Sequence, residues 1–82
     1  MAPKFSLNLD ALRPLAEALG HTRPDGDLSP SRIGRHTGID RVVVSRVIRG
    51  ENGPDLSTAV LLAEGYETSI ESLLVRETEP AT

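Results

Sequence analysis

The apolar positions of the chain fall into short runs with helical period. Leu9, Leu12, Leu15, Ala16 and Leu19 recur three and four residues apart and stop at Gly20. This spacing predicts a first helix from Asp10 or Arg13 to Leu19, with Pro14 either kinking it or marking its first turn. Ser29-Pro30 pairs an N-cap with proline at the first helical position and opens a second helix, running to about His36 and broken at Thr37-Gly38. Asp40 caps a third helix through Arg49, ended by Gly50. Asp55 or Ser57 opens a fourth, with Leu56, Ala59, Val60 and Ala63 on its inner face and Gly65 at its end. Thr68-Ser69-Ile70-Glu71 is a capping box for a short last helix carrying Ile70, Leu73 and Leu74.

Between these runs, His21 to Asp27 is a loop dense in Pro, Gly and Asp, and Asn52-Gly53-Pro54 is a turn. Lys4 to Leu9 alternates apolar and polar, which suits a strand or an ordered arm whose Phe5 plugs the core. The fold expected is all-α: a compact bundle of four to five short helices, containing a helix-turn-helix, in one domain over residues 1–82. Residues 1–8 form its arm and 77–82 a frayed acidic tail.

Composition narrows the picture. In 82 residues there is one Phe, one Tyr and no Trp, so Leu, Val, Ile and Ala must build the core. A chain this short buries only about 60% of its unfolded surface, so that core must be efficient. Without cysteine there are no disulfides, thiolate metal ligands or Cys nucleophile. The longest apolar run is far short of a membrane span, and no signal-peptide core follows Met1; a cytoplasmic protein with no membrane contact is expected.

The net charge of −3 argues against a nucleic-acid partner until it is divided along the chain. Residues 1–50 carry eight Lys or Arg against five acids, and residues 51–82 carry Arg76 against seven. The window 29–50 holds five Arg against Asp40 alone. A basic centre beside an acidic end is a polarised molecule, and polarity says more about partners than the total does.

That window reads SPSRIGRHTGIDRVVVSRVIRG. Two short helices meet at His36-Thr37-Gly38-Ile39, with Gly38 where positive φ is needed. Gly34 lets the helices cross closely, and Ile39 and Val44 fall where the bend must bury an apolar group. With Val44 set at the core and 100° per residue, Val47 and Ile48 flank it inward. Val42, Ser45, Arg46 and Arg49 fall on the opposite face, with Arg41 at its N-terminal edge. A valine among arginines on that face can meet a thymine methyl in the major groove, and Arg41 and Arg46 can each make a bidentate pair with guanine. The alternative is that Val42 and Val43 are buried in the core or in a dimer contact.

The spacing is that of a helix-turn-helix, and the segment resembles the lambda-repressor/Cro-type family of bacterial and phage regulators. The resemblance continues through Val44–Gly50 and Gly53-Pro54-Asp55-Leu56 to Ala63-Glu64-Gly65, covering roughly residues 28–75. It implies a DNA-binding domain of short helices with base-reading positions at Arg41, Val42 and Arg46. It further implies phosphate contacts from Ser31, Arg32, Thr37, the Val43 backbone, Ser45, Arg49 and Asn52. Two departures stand out: the link His21–Leu28 is longer than the family's, and Pro30 occupies a position where the family favours Gln. The alternative for each of these arginines is a solvated helix face or a surface salt bridge.

No other chemistry is spaced to work. His36 ends the second helix as a surface or phosphate-edge residue, and His21, in a different loop, is too distant to complete a zinc site with it. Asp25-Gly26-Asp27 is a turn rather than a calcium loop. Neither a catalytic triad nor a glycine-rich phosphate loop is present, so no enzyme activity and no cofactor are expected. The leading expectation is a transcriptional regulator, most simply a repressor, that binds double-stranded DNA at a palindromic operator as a homodimer. Tyr66, Ile70, Leu73, Leu74 and Val75 are the first candidates for its dimer surface, and the arm with Phe5 and Leu7 the second. The alternative is an antitoxin-like module that neutralises a protein partner and binds DNA secondarily.

Overall fold

The computed structural model describes residues 4–77. In chain order the elements are β1 (Lys4–Leu7), α1 (Leu9–Ala18), α2 (Pro30–Thr37), α3 (Arg41–Ile48), α4 (Leu56–Gly65), α5 (Ile70–Leu73) and β2 (Leu74–Glu77). Five short helices match the expected count. The two strands do not belong to an all-α fold, and they correct that reading. β1 and β2 pair antiparallel, with Phe5 opposite Arg76 and Leu7 opposite Leu74. The strand alternation of residues 4–7 is therefore real, but the residue it buries is Leu7, at 9% exposure, while Phe5 stays 42% exposed. Glu77 belongs to β2 instead of a frayed tail; residues 78–82 lie outside the described residues.

Each helix begins where a side-chain oxygen can accept one of the orphan N–H groups of the first turn. Asn8 accepts from Ala11, Ser29 from Arg32, Asp40 from Val42 and Asp55 from Thr58. Ser69 caps α5 by accepting from Ser72, one residue later than the expected box at Thr68. Hydrogen bonds from Thr58, side chain and backbone, hold the Asp55 carboxyl below its ordinary range. Pro14 sits inside α1. It is solvent-exposed, as is Asp10, whose carbonyl loses its usual i+4 donor to the proline ring and can turn to water instead.

The core collects Leu12, Ala16, Leu28, Ile33, Ile39, Val44, Val47, Leu62, Ala63, Tyr66 and Leu73, with Leu7 closing it from the sheet. Leu12, Ile33 and Leu73 have no exposed surface, and burying each is worth about 1.5–3 kcal/mol. Within α4 the inner face is Thr58, Ala59, Leu62 and Ala63. Leu56, expected there, is 76% exposed at the helix start. Tyr66 and Leu73, at 5% and 0% exposure, are part of the monomer's own core. Neither is open to a second chain, which corrects their assignment to a dimer surface. Ile70 and Leu74 are half-buried against that core and the sheet, and Val75 is exposed.

The 21–28 segment is an ordered hairpin. Thr22 and Leu28 form an isolated β-bridge, and the Arg23 N–H donates to the Asp27 carbonyl at 2.7 Å. The Gly26 N–H turns back to the Arg23 carbonyl at 2.9 Å. Two arginines pin it: Arg13 donates to the Gly26 carbonyl at its tip, and Arg32 to the Gly20 and Thr22 carbonyls at its base.

Candidate nucleic-acid interface

The bend between α2 and α3 is built on two glycines. Gly38 ends α2 in the left-handed region, φ 80°, and returns its N–H to the Gly34 carbonyl. At Gly34 a Cβ would stand 2.5 Å from the Ile39 carbonyl oxygen, so any larger residue would force the helices apart. Ile39 and Val44 are buried, as the spacing demands. This geometry fixes which side of α3 faces the core: Val44 and Val47 are buried and Ile48 is half-buried.

The other side is open. Val42 is 48% exposed and Val43 40%, so neither is a core residue of the monomer. Arg41, Arg46 and Arg49 are exposed around them, and Ser45 is half-exposed. Among the described residues one ion pair occurs, Arg49 to Glu51 at 2.7 Å, with both side chains more than half exposed. Such a pair is worth about 0–1 kcal/mol and yields readily to a competing anion. Arg41 and Arg46 have no carboxylate partner among the described residues. Two β-branched apolar side chains thus keep nearly half their surface in water, between guanidinium groups that have no carboxylate partner among the described residues.

The expected phosphate-contacting residues divide. Ser31 lines one open concavity between α2 and α3, where the base-reading candidate Arg41 and also Arg35 join it, and Ser45 and Arg49 line a second beyond α3. Asn52 is exposed in the turn after α3. Arg32 and Thr37 make bonds within the fold. Arg32 holds the hairpin base through its guanidinium, and Thr37, buried, donates its hydroxyl to the Ile33 carbonyl at 2.7 Å. Thr37, buried, is corrected as a side-chain phosphate contact, while Arg32 is exposed and keeps guanidinium N–H groups beyond those that hold the hairpin base.

The structure also brings together two residues that look remote in the sequence. The rings of His21 and His36 lie 4.7 Å apart between centroids, and both pack against Tyr66. The His36 Nε2–H donates to the Gly65 carbonyl at 2.6 Å. With its proton on Nε2, His21 accepts the Tyr66 phenol at Nδ1, 2.7 Å away. Burial, reinforced by His36 and Arg32, lowers the His21 pKa, and burial pushes the Tyr66 phenol up to about 12. The two histidines are thus neighbours, contrary to their reading as distant. No third His, Asp or Glu joins them into a metal-binding group among the described residues. Their polar contacts go to the protein itself, locking the end of α2 to the end of α4. No helix of the described residues is long and apolar enough to cross a membrane.

Comparison with known proteins converges on the same segment. The helix-turn-helix family model matches residues 25–73. The control protein C.SmaI of Serratia marcescens is 32% identical over 69 residues, covering 84% of this chain and 82% of that protein. No solved structure gives a significant match. With the bend, the outward face of α3 and these two similarities in agreement, the chain belongs to the lambda-repressor/Cro-type helix-turn-helix family of DNA-binding transcriptional regulators.

Proposed function

We propose that the protein is a sequence-specific regulator, most simply a repressor, that occupies a palindromic operator as a homodimer with α3 of each copy in the major groove. The observation that carries this reading is the outward face of α3, where Val42 and Val43 are exposed between unpaired arginines. Arg41 and Arg46 act as base readers, each able to present two parallel donors to guanine, and Val42 meets a thymine methyl. Ser31, Ser45, Arg49 and Asn52 hold the backbone; Arg49 exchanges Glu51 for a phosphate as it does so. The similarity to a protein named as a control protein supports a regulatory role.

The small size of one such module supports a homodimer. One small module buries about 600–1,000 Å² of protein on DNA, and a second copy doubles the contact by reading a half-site one helical turn away. Ile70 and Leu74 remain on the rim of the core for that contact, with Phe5 exposed on the same face of the sheet as Leu74 and Val75 on the opposite face.

Selection from a pool of random-sequence duplexes tests the proposal. The expected result is a short inverted repeat whose recovery is lost with Arg46→Ala. Recovery of unrelated sequences, equally bound by wild type and variant, would overturn it.

A further inference from the structure

The hairpin between α1 and α2 does more than connect two helices. Arg13 from α1, Arg23 and Asp27 from the hairpin, Pro30 at the start of α2, Ser45 from α3 and Arg49 at its C-cap line a single cleft of about 350 Å³. Three guanidinium groups and one carboxylate face this cleft, so it is net cationic. Neither Arg13 nor Arg23 is in an ion pair among the described residues, although Asp27 lines the same space. Arg13 uses a donor on the Gly26 carbonyl at 3.3 Å, which anchors it, and a guanidinium has five N–H groups to give. The hairpin is held by its own backbone bonds, so Arg23 is displayed from an ordered frame. Arg49 is paired with Glu51 and Arg13 with a carbonyl, but each guanidinium keeps further N–H donors, and Arg23 uses none on another group among the described residues. Converging donors to spare in a polar cleft mark the place of an anion.

We infer that this cleft is a phosphate-binding site in which Arg13 and Arg23 extend the contact made by Ser45 and Arg49. Ser45 and Arg49 belong both to the outward side of α3 and to the cleft wall, so the phosphate in question is one of the DNA strand passing the end of α3. The inference rests on the DNA-binding reading for the source of that phosphate, and on the cleft alone for its chemistry. Asp27 is the opposing charge and weakens the site.

The test is the salt dependence of binding to a duplex of about 30 base pairs, for wild type, Arg23→Gln, Arg13→Gln and Asp27→Asn, with a thermal melt of each. Each phosphate contact contributes about 0.9 to the slope of log Kobs against log salt. Arg23→Gln, which removes no side-chain bond of the fold, is expected to lower the slope by about that amount with an unchanged melt. Arg13→Gln lowers it similarly, and Asp27→Asn tightens binding. A parallel titration with inorganic pyrophosphate, read by NMR shifts at Ser45 and Arg23, separates the sources. An unchanged slope with pyrophosphate shifts that vanish in Arg23→Gln would keep the site and assign it to a free phosphate compound. A slope and pyrophosphate response both indifferent to Arg23→Gln would overturn the inference. If wild type bound no duplex at all, the DNA-binding reading would fail by itself, and the pyrophosphate arm would still decide the cleft.

Discussion

Two clusters of polar side chains in this molecule are built on opposite principles. Where α2 and α4 end, His21, His36 and Tyr66 stack on one another and satisfy their hydrogen bonds within the fold. On α3, Arg41 and Arg46 are exposed with no anionic partner among the described residues, beside two exposed valines. The first arrangement stabilises the monomer, because each donor or acceptor withdrawn from water finds a replacement. The second leaves guanidinium donors and valine surface unmatched within the monomer, which suits an external surface that carries both anionic and apolar groups. Unmet bonding capacity, more than residue type, separates the interface from the scaffold.

The largest effect is expected in the scaffold. Leu73→Ala removes a side chain with no exposed surface and is expected to cost about 2–5 kcal/mol. Denaturant melts at several protein concentrations check it. A loss confined to low concentration would return Leu73 to a dimer surface. Next in size is Arg46→Ala, which should weaken binding to the selected duplex by about 1–3 kcal/mol and leave the melting temperature unchanged, as measured by gel shift and calorimetry. A drop in stability would mean that Arg46 serves the fold. Val42→Ala sharpens the picture further: it should relax preference at one A·T position by about 1 kcal/mol while other sites bind nearly as before. Uniform losses on every sequence would contradict direct readout by that side chain.

The smallest effect concerns the histidine corner. Because the His21 pKa is lowered in the folded chain, the unfolded chain binds that proton more tightly. Its contribution is therefore intact above the ordinary imidazole value of about 6.5 and is lost as pH falls from there towards the folded value. Thermal melts between pH 7.5 and about 5 should show a falling midpoint, with a shallower fall in His21→Gln. Equal slopes in the two proteins would remove His21 from the account.

What was legible in the sequence was mostly local. Ser29, Asp40 and Asp55 cap helices through bonds to N–H groups two or three residues away, so short-range pattern suffices. Gly34 and Gly38 were readable for the same reason, since the motif they serve spans only about twenty residues. The sheet was not readable from β2, because Leu74-Val75-Arg76-Glu77 becomes a strand only by pairing with a segment some seventy positions earlier. Nor could periodicity show that His21 meets His36, or that Arg32 turns back to the hairpin base, because both depend on how α2 packs. Tyr66 and Leu73 were misplaced because an apolar residue fits a core and an interface equally well until the packing is known.

The central claim is that the outward face of α3 meets duplex DNA while the histidine corner does not. Titrating the selected duplex into isotope-labelled protein and following backbone and side-chain NMR resonances tests it most directly. Large shifts are expected at Arg41, Val42 and Arg46, smaller ones at Ser45 and Arg49, and little change at His21, Tyr66 and Leu73. Shifts centred on α4 or on the β1–β2 pair, with α3 silent, would contradict it.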